Sequence, residues 1–192
     1  MLNALFPGES PTNLLQPGRK LIPKYTILPR FGHNPVPNVD EPWVAAAFTP
    51  PQERTPELKE AIQLSDLLVD EFLAADLYVF GVPMFNFSVP STFKAYIDQI
   101  GRIGRNFAVD EQGFKGLVEG NKKVLVITAC GGSFQPGTPT ASYDFQEPDL
   151  RSILGFIGIT DIKLIHADNL SSTREQSLAN ARESVQAVWT DW

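Results

Sequence analysis

Cysteine is almost missing from this chain, and histidine and methionine are scarce: one Cys, two His and two Met among 192 residues. The single thiol, Cys130, excludes an intramolecular disulfide framework, and with only His33 and His166 beside it a Cys/His zinc centre has too few ligands. Positive charge is also in short supply. Sixteen Lys+Arg stand against 22 Asp+Glu, a net charge of −6, with no basic run. That argues against a nucleic-acid partner, whose affinity rests on neutralising phosphates. The longest apolar stretch, Leu77 to Phe85, falls well short of the ~20 residues of a membrane span. No basic segment leading into an apolar one opens the chain, so the expectation is a cytoplasmic protein with no membrane partner. Gly-x-Ser-x-Gly, the P-loop and Gly-x-Gly-x-x-Gly are all missing, which leaves no familiar nucleophile elbow or phosphate cradle.

What is present is 43% hydrophobic residues, enough for one domain with its own core. Composition changes near residue 52. Ten of the 16 prolines lie in residues 1–51, and proline at that density forbids a long helix and interrupts a central strand. The first 50 residues are therefore expected to be loop with short extended pieces at most. From Thr55 the pattern becomes regular. Thr55-Pro-Glu-Leu is a helix start, and Leu58, Ala61, Ile62, Leu68, Val69 and Phe72 recur at helical spacing to about Ala74, with Ser65 the one polar interruption. Asp76–Pro83 is an apolar run of strand length, as expected of a buried parallel strand. Helix is expected from about Pro90 to Gly101, strand over Lys122–Ala129, helix over Asp149–Phe156 and strand over Asp161–Ala167. A long helix capped by Ser171/Ser172 should run nearly to Trp192. Strands alternating with helices predict an α/β sheet covered on both faces.

In such a sheet ligands bind beyond the carboxyl ends of the strands, and two loops there have unusual composition. Pro83-Met-Phe-Asn-Phe-Ser-Val-Pro-Ser91 puts aromatic and amide groups together; a hydrophobic loop over a core edge would look similar. Ala129-Cys-Gly-Gly-Ser-Phe134 brings paired glycines, which let backbone N–H groups approach a ligand but also serve ordinary turns. Together they suit a flat, partly polar ligand such as a flavin. His33, His166 and Cys130 are expected to be structural or solvated. Asp98, Arg102 and Arg105 form a charged patch with a solvated or interface role. With no side-chain set for acid–base or nucleophilic work, no catalytic residue is assigned and a cofactor has to carry the chemistry.

The segment Pro83-Met-Phe-Asn-Phe-Ser-Val-Pro-Ser-Thr-Phe-Lys-Ala-Tyr-Ile-Asp-Gln-Ile100, followed by Gly104-Arg-Asn-Phe107, resembles the FMN-dependent NADH:quinone oxidoreductase and azoreductase family. Gly32-His-Asn-Pro-Val-Pro37, Ala61-Ile-Gln-Leu-Ser-Asp-Leu-Leu68 and Leu154-Gly-Phe-Ile-Gly-Ile-Thr-Asp161 resemble it too, in the same order over roughly residues 32–190. The resemblance implies a three-layer flavodoxin-like parallel sheet, a homodimer, and one non-covalent FMN per subunit. NADH would be the donor and a quinone or azo compound the acceptor, in a ping-pong cycle. By the same resemblance Met84, Phe85, Asn86, Phe87, Ala129, Cys130, Gly131 and Gly132 would contact the FMN ring, and Phe134 and Phe156 would line the acceptor pocket. No metal is implied.

The chain departs from the family pattern in three places. Ala129-Cys130 stands where a Ser-Arg type of pair is usual, and Val109 where an aromatic residue is frequent. The third is the beginning. The family opens with a hydrophobic strand, a serine-rich phosphate loop and a helix; here the first strand and phosphate loop are degenerate or missing. Ser10, within Pro7-Gly-Glu-Ser-Pro-Thr12, is the one echo of a phosphate ligand. Residues 1–31 are thus read as an atypical proline-rich segment, scrambled by a frameshift or a mis-assigned start, and 32–192 as the flavodoxin-like FMN-binding domain. Two rival readings are a non-catalytic flavodoxin-like remnant unable to hold FMN, and a flavin electron carrier without nicotinamide chemistry.

Overall fold

The computed structural model describes residues 35–191, so the expectations for the first strand, the phosphate loop with Ser10, and His33 lie outside the described residues. Three parallel strands form the main sheet in the order β1 (Leu77–Pro83), β4 (Lys123–Ala129), β5 (Asp161–Ala167). Their register is unbroken: Leu77 pairs with Lys123 and Pro83 with Ala129, and Lys123 pairs with Asp161 and Ala129 with Ala167. All three carboxyl ends therefore finish level.

Side chains alternate across a strand, and β4 is buried at every position from Val124 to Ala129, so both of its faces need cover. Val124 and Val126 join Tyr78, Phe80 and Val82 of β1 on one face. There they meet Leu68, Val69 and Phe72 of α2 (Pro56–Ala74), Phe93, Tyr96 and Ile100 of α3 (Ser91–Ile100), and Leu150 and Leu154 of α4 (Gln146–Phe156). Leu125, Ile127 and Ala129 point the other way, with Ile165 and Ala167 of β5, against Ala181 and Val185 of α5 (Arg174–Asp191). The result is helix–sheet–helix layering, with residue parity on one strand deciding which layer each side chain joins.

The expectation of loop over the first 50 residues is corrected at its end. Glu41–Phe48 is a helix, α1. Pro42 sits in its first turn, where a missing N–H costs nothing, and the Asp40 side chain accepts from Trp43 N at 2.9 Å as N-cap. The Trp43 indole donates to Gln99 Oε1 at 2.9 Å, and Gln99 Nε2 donates to the Pro37 carbonyl at 3.0 Å, docking this segment on α3. The polar interruption at Ser65 has its reason here. Its hydroxyl is buried, donates to the Gln99 carbonyl at 2.5 Å and accepts from Arg102 Nη1 at 2.7 Å.

Two further differences concern ends and short elements. The last helix begins at Arg174 rather than at the Ser171/Ser172 pair, because Asn169–Thr173 is spent on a turn in which Ser172 N and Thr173 N both donate to the Asn169 carbonyl. Between α3 and β4 lies an antiparallel hairpin that the sequence reading left out, β2 (Phe107–Asp110) and β3 (Gly113–Gly116). Four residues per strand give too short a run for alternation to register.

Candidate active site

The loop after β1 is built on backbone strain. Phe85 N donates to the Ser88 carbonyl at 2.9 Å and Ser88 N returns to the Phe85 carbonyl at 3.1 Å, closing a two-residue turn on Asn86 and Phe87. Both residues are left-handed, with φ of 48° and 71°, the pair of values a type I′ turn requires. Asn tolerates this region and Phe does not. The turn leaves the N–H groups of Asn86 and Phe87 without an acceptor among the described residues. It also holds two aromatic rings toward solvent, Phe85 at 61% and Phe87 at 44% exposure. Met84 N donates to the Ala129 carbonyl at 2.8 Å, fastening this loop to the next one.

The loop after β4 is fastened through its carbonyls. Its carbonyls are taken from behind by the turn after β5: Leu170 N donates to Cys130 O at 3.1 Å, Ser171 N to Gly131 O at 3.2 Å, and Asn169 N to Gly132 O at 2.7 Å. Asn169 reaches that position in the left-handed region, φ 56°. Gly131 and Gly132 keep exposed N–H groups that bond to no described residue. A Cβ on Gly131 would come within 2.7 Å of Ser171 Oγ, so a larger residue there would force the Ser171 hydroxyl to turn away. Cys130 is 8% exposed and donates to the Gly132 carbonyl at 3.1 Å and to Asp168 Oδ1 at 3.0 Å. Burial first, then the bond to Asp168 and the charges of Asp168 and Asp144, push its thiol up to about 12. Cys130 is therefore a neutral thiol at physiological pH.

A third segment, residues 133–145, completes the mouth. Phe145 N donates to the Phe87 carbonyl at 3.0 Å, and the Phe87 ring lies 5.8 Å from Phe134 and 5.3 Å from Tyr143, centroid to centroid. The start of α4 locks this segment to β1, because the buried Gln146 amide donates to the carbonyls of Val82 and Pro83 at 3.2 and 3.0 Å. Sequence reasoning missed Tyr143 and Phe145. The signal was available: exposed aromatics in a Pro/Gly/Thr-rich loop leaving the carboxyl end of a parallel strand.

Met84–Phe87 and Ala129–Gly132 thus converge, and Phe134 joins them. Phe156 does not. It ends α4, whose start is fixed at the carboxyl end of β1, and eleven helical residues carry it roughly 15 Å away. There it packs on Phe107 (4.7 Å) and Phe114 (5.3 Å) of the hairpin, not in this chain's own mouth. Val109 lies on the same hairpin, exposed. The charged patch also needs correction. Arg102 is only 4% exposed, its guanidinium 3.0 Å from Asp66 and 5.9 Å over the Trp43 ring, while Arg105 pairs with Asp66 and Asp70 and Asp98 with Lys94. His166 is structural, Nδ1 3.0 Å from Thr128 Oγ1 and Nε2 3.3 Å from Glu147 Oε2. A groove of about 380 Å³ lies elsewhere, along α2 between Lys59 and Asp70. It is open to solvent and no loop converges on it, so the geometry at the strand ends, not hollow volume, marks the site.

Residues 30–188 match a family described by its flavodoxin-like fold. The FMN-dependent NADH:quinone oxidoreductase 2 of Trichormus variabilis is 62% identical over 165 residues, covering 84% of this chain and 80% of that protein. The chain belongs to the FMN-dependent NADH:quinone oxidoreductase family. Another relative, the FMN-dependent NADH:quinone oxidoreductase of Nostoc punctiforme, is 63% identical over 164 residues, with 84% and 80% coverage. Among solved structures, the FMN-dependent NADH-azoreductase of Bacillus anthracis str. Ames Ancestor, in complex with FMN, superposes with a TM-score of 0.74. It shares 25% identity, covering 81% of this chain and 75% of that one. The layering and level strand ends described above are the flavodoxin-like fold of this family. No described helix is long and apolar enough to cross a membrane.

Proposed function

We propose that this chain is an FMN-dependent oxidoreductase that takes reducing equivalents from NADH and passes them to quinones and azo compounds. The observation that carries the reading is the pair of adjoining loops at the carboxyl ends of β1 and β4, with Asn86, Phe87, Gly131 and Gly132 exposed and their N–H groups unpaired among the described residues. Four fixed donors around a flat opening fit the polar edge of an isoalloxazine. Family membership, and a related structure solved with FMN, support the same cofactor.

FMN supplies two-electron chemistry that no side chain here offers. Everything else falls to the chain. The unpaired N–H groups would hold the ring's polar edge and stabilise negative charge on it without reorganising. The Asn86 amide adds a donor and an acceptor. Phe87, Phe134 and Tyr143 form a wall that suits a flat nicotinamide, quinone or dye, and Phe85 supplies further apolar surface. One mouth serving donor and acceptor in turn makes a ping-pong order part of the reading. Within it, residues 32–192 form the cofactor domain, Ser10 is the hydroxyl assigned to the phosphate, and the chain works in the cytoplasm, where NADH is at hand. A homodimer belongs to the proposal as well; it is supported by the hairpin's exposed Phe114, 73% accessible, and by Phe48 and Leu67 on the helical side.

The test is a visible spectrum of the purified protein after incubation with excess FMN and desalting, followed by NADH oxidation with a benzoquinone and with an azo dye. A retained flavin spectrum, turnover with both acceptors and parallel double-reciprocal lines are expected. A colourless protein that oxidises no NADH overturns the reading.

A further inference from the structure

Asp168 has no part in the function proposed so far, yet it stands directly behind the loop that this function relies on. It follows the last residue of β5, and its carboxylate accepts from two side chains of the β4 loop: Cys130 Sγ at 3.0 Å through Oδ1 and Ser133 Oγ at 3.3 Å through Oδ2. These two residues bracket Gly131 and Gly132. The next three residues, Asn169 to Ser171, take the carbonyls of 130, 131 and 132. One short turn therefore holds every acceptor of the glycine pair from the rear, and Asp168 pins its two flanks.

Among the described residues the charge of Asp168 is not balanced by a salt bridge: no lysine, arginine or histidine pairs with it, and its donors are a thiol and a hydroxyl, both neutral. Asp144 is a second carboxylate near Cys130, facing it from the turn before α4 and accepting from the N–H groups of Gln146 and Glu147. A carboxylate in partly buried surroundings acts on its neighbours through a lower dielectric than water. It opposes added negative charge just in front of it.

We propose that Asp168 is a positioning residue for the Gly131–Gly132 loop and that its charge sets the reduction potential of the bound flavin lower than a neutral side chain would. This role rests on the reading of the site as an FMN site. It predicts separable effects for two variants. Asp168→Ala removes the acceptor and the charge, so the loop loses its flank bonds and FMN dissociates more readily, by about tenfold. Asp168→Asn keeps the volume and removes the charge; its amide oxygen can still accept from Cys130 while its NH2 donates to the Ser133 hydroxyl, which can turn to accept, so FMN is retained while the flavin midpoint potential moves to a more positive value.

The experiment combines three readouts. Fluorescence titration of apoprotein with FMN gives the dissociation constant, a dye-coupled redox titration gives the potential, and reaction of the apoprotein's one cysteine with a disulfide reagent at pH 8 reports the Cys130–Asp168 bond without any flavin. The thiol should react about tenfold faster in Asp168→Ala than in the parent, because a bond to carboxylate suppresses the thiolate. Unchanged FMN affinity in Asp168→Ala overturns the positioning role, whatever the thiol does. An unchanged potential in Asp168→Asn overturns the electrostatic role. Should Asp168→Ala fail to fold, Asp168→Asn still decides the electrostatic half, and Ser133→Ala with Cys130→Ala removes the two flank donors and decides the positioning half. A parent protein that takes up no FMN overturns the functional reading and this role with it; the thiol rates then show whether the clamp itself exists, so the two failures are told apart.

Discussion

Asn86 and Phe87 hold the strained backbone of the site, two consecutive left-handed residues of which neither is glycine. Such strain costs of order 1 kcal/mol or more per residue and persists only where the surroundings over-determine it. Here the Phe85–Ser88 bonds, the Phe145 N–H on the Phe87 carbonyl and the rings of Phe134 and Tyr143 do so. Asn86→Gly should relieve strain without removing a packing contact, so thermal stability is expected to stay level or rise slightly. FMN affinity should fall by about tenfold through loss of the amide contact. Melting curves of the apoprotein beside FMN titrations test this; affinity equal to the parent's would remove Asn86 from the set of ring contacts. The choice of glycine at 131 is of another kind. It is favoured by the Ser171 hydroxyl across the turn, which a Cβ would displace, so Gly131→Ala should weaken FMN binding modestly, and Gly131→Ala combined with Ser171→Gly should recover part of the loss.

Among the elements, α2 and the end of α3 are joined by an ion cluster with an asymmetric fate. Asp66 faces Arg54, Arg102 and Arg105, and of these Arg102 is the buried one. Burial is the first cause lowering the Arg102 pKa, with Asp66 acting against it. Asp66→Ala leaves a buried guanidinium without its carboxylate and is expected to cost about 3 kcal/mol. Arg102→Met, which packs the same space and leaves Asp66 half-exposed with two other arginines, should cost clearly less. Urea unfolding of the two variants settles the order, and equal losses would mean that the Arg102 contacts to Ser65 and Trp43 matter more than the charge. At the hairpin, the backbone of β3 lies against the turn after α4 so closely that a Cβ on Gly116 would come 2.4 Å from Gly158 N. Gly158 itself has φ 109°. Backbone cannot step aside as a side chain can, so Gly116→Ala should destabilise by about 3 kcal/mol, read as a lowered melting temperature.

For the molecule as a whole, three acids among the described residues that ionise above neutral pH have their protonated forms favoured by folding. Burial raises Cys130, Tyr78 and Tyr96, with added repulsion from Asp168, Asp76 and Glu71 respectively. Above the ordinary ionisation range of each group the unfolded chain loses its proton first, so it binds fewer protons than the native state and stability falls as pH rises. The stabilisation should be complete below about pH 8.5 and decline from there through the Cys130 value of about 12. Unfolding free energies measured from pH 7 to 10.5 should show this decline, and Cys130→Ala should flatten its lower part. A flat profile in the parent would contradict the burial of all three. Sedimentation should give a mass near twice 21.2 kDa, as the homodimer reading requires; a monomer would overturn that part of the proposal.

Much of this was legible in the residues because it follows from local rules. The parity of β4, with apolar residues on both faces from Val124 to Ile127, required cover on both sides. Thr55-Pro-Glu started a helix where capping chemistry says it must, and the collinear motifs from Gly32 to Asp161 pointed to the family. Short elements and inversions of polarity were not legible. The strands of the β2–β3 hairpin are too brief for alternation, and Pro42 looked like a helix breaker until its place in the first turn was known. Phe156 stands at the far end of α4 from the two loops, since a helix moves its last side chain a distance that composition does not show. The inward Arg102 and the clamp of Asp168 on Cys130 and Ser133 join residues 36 and 38 positions apart, or 35 for Ser133. The sequence by itself determined the layers, because hydrophobic periodicity is set by the geometry of strand and helix. The tertiary structure alone decided which donors remain unpaired at the strand ends, because that depends on which distant carbonyls and carboxylates come to stand behind them.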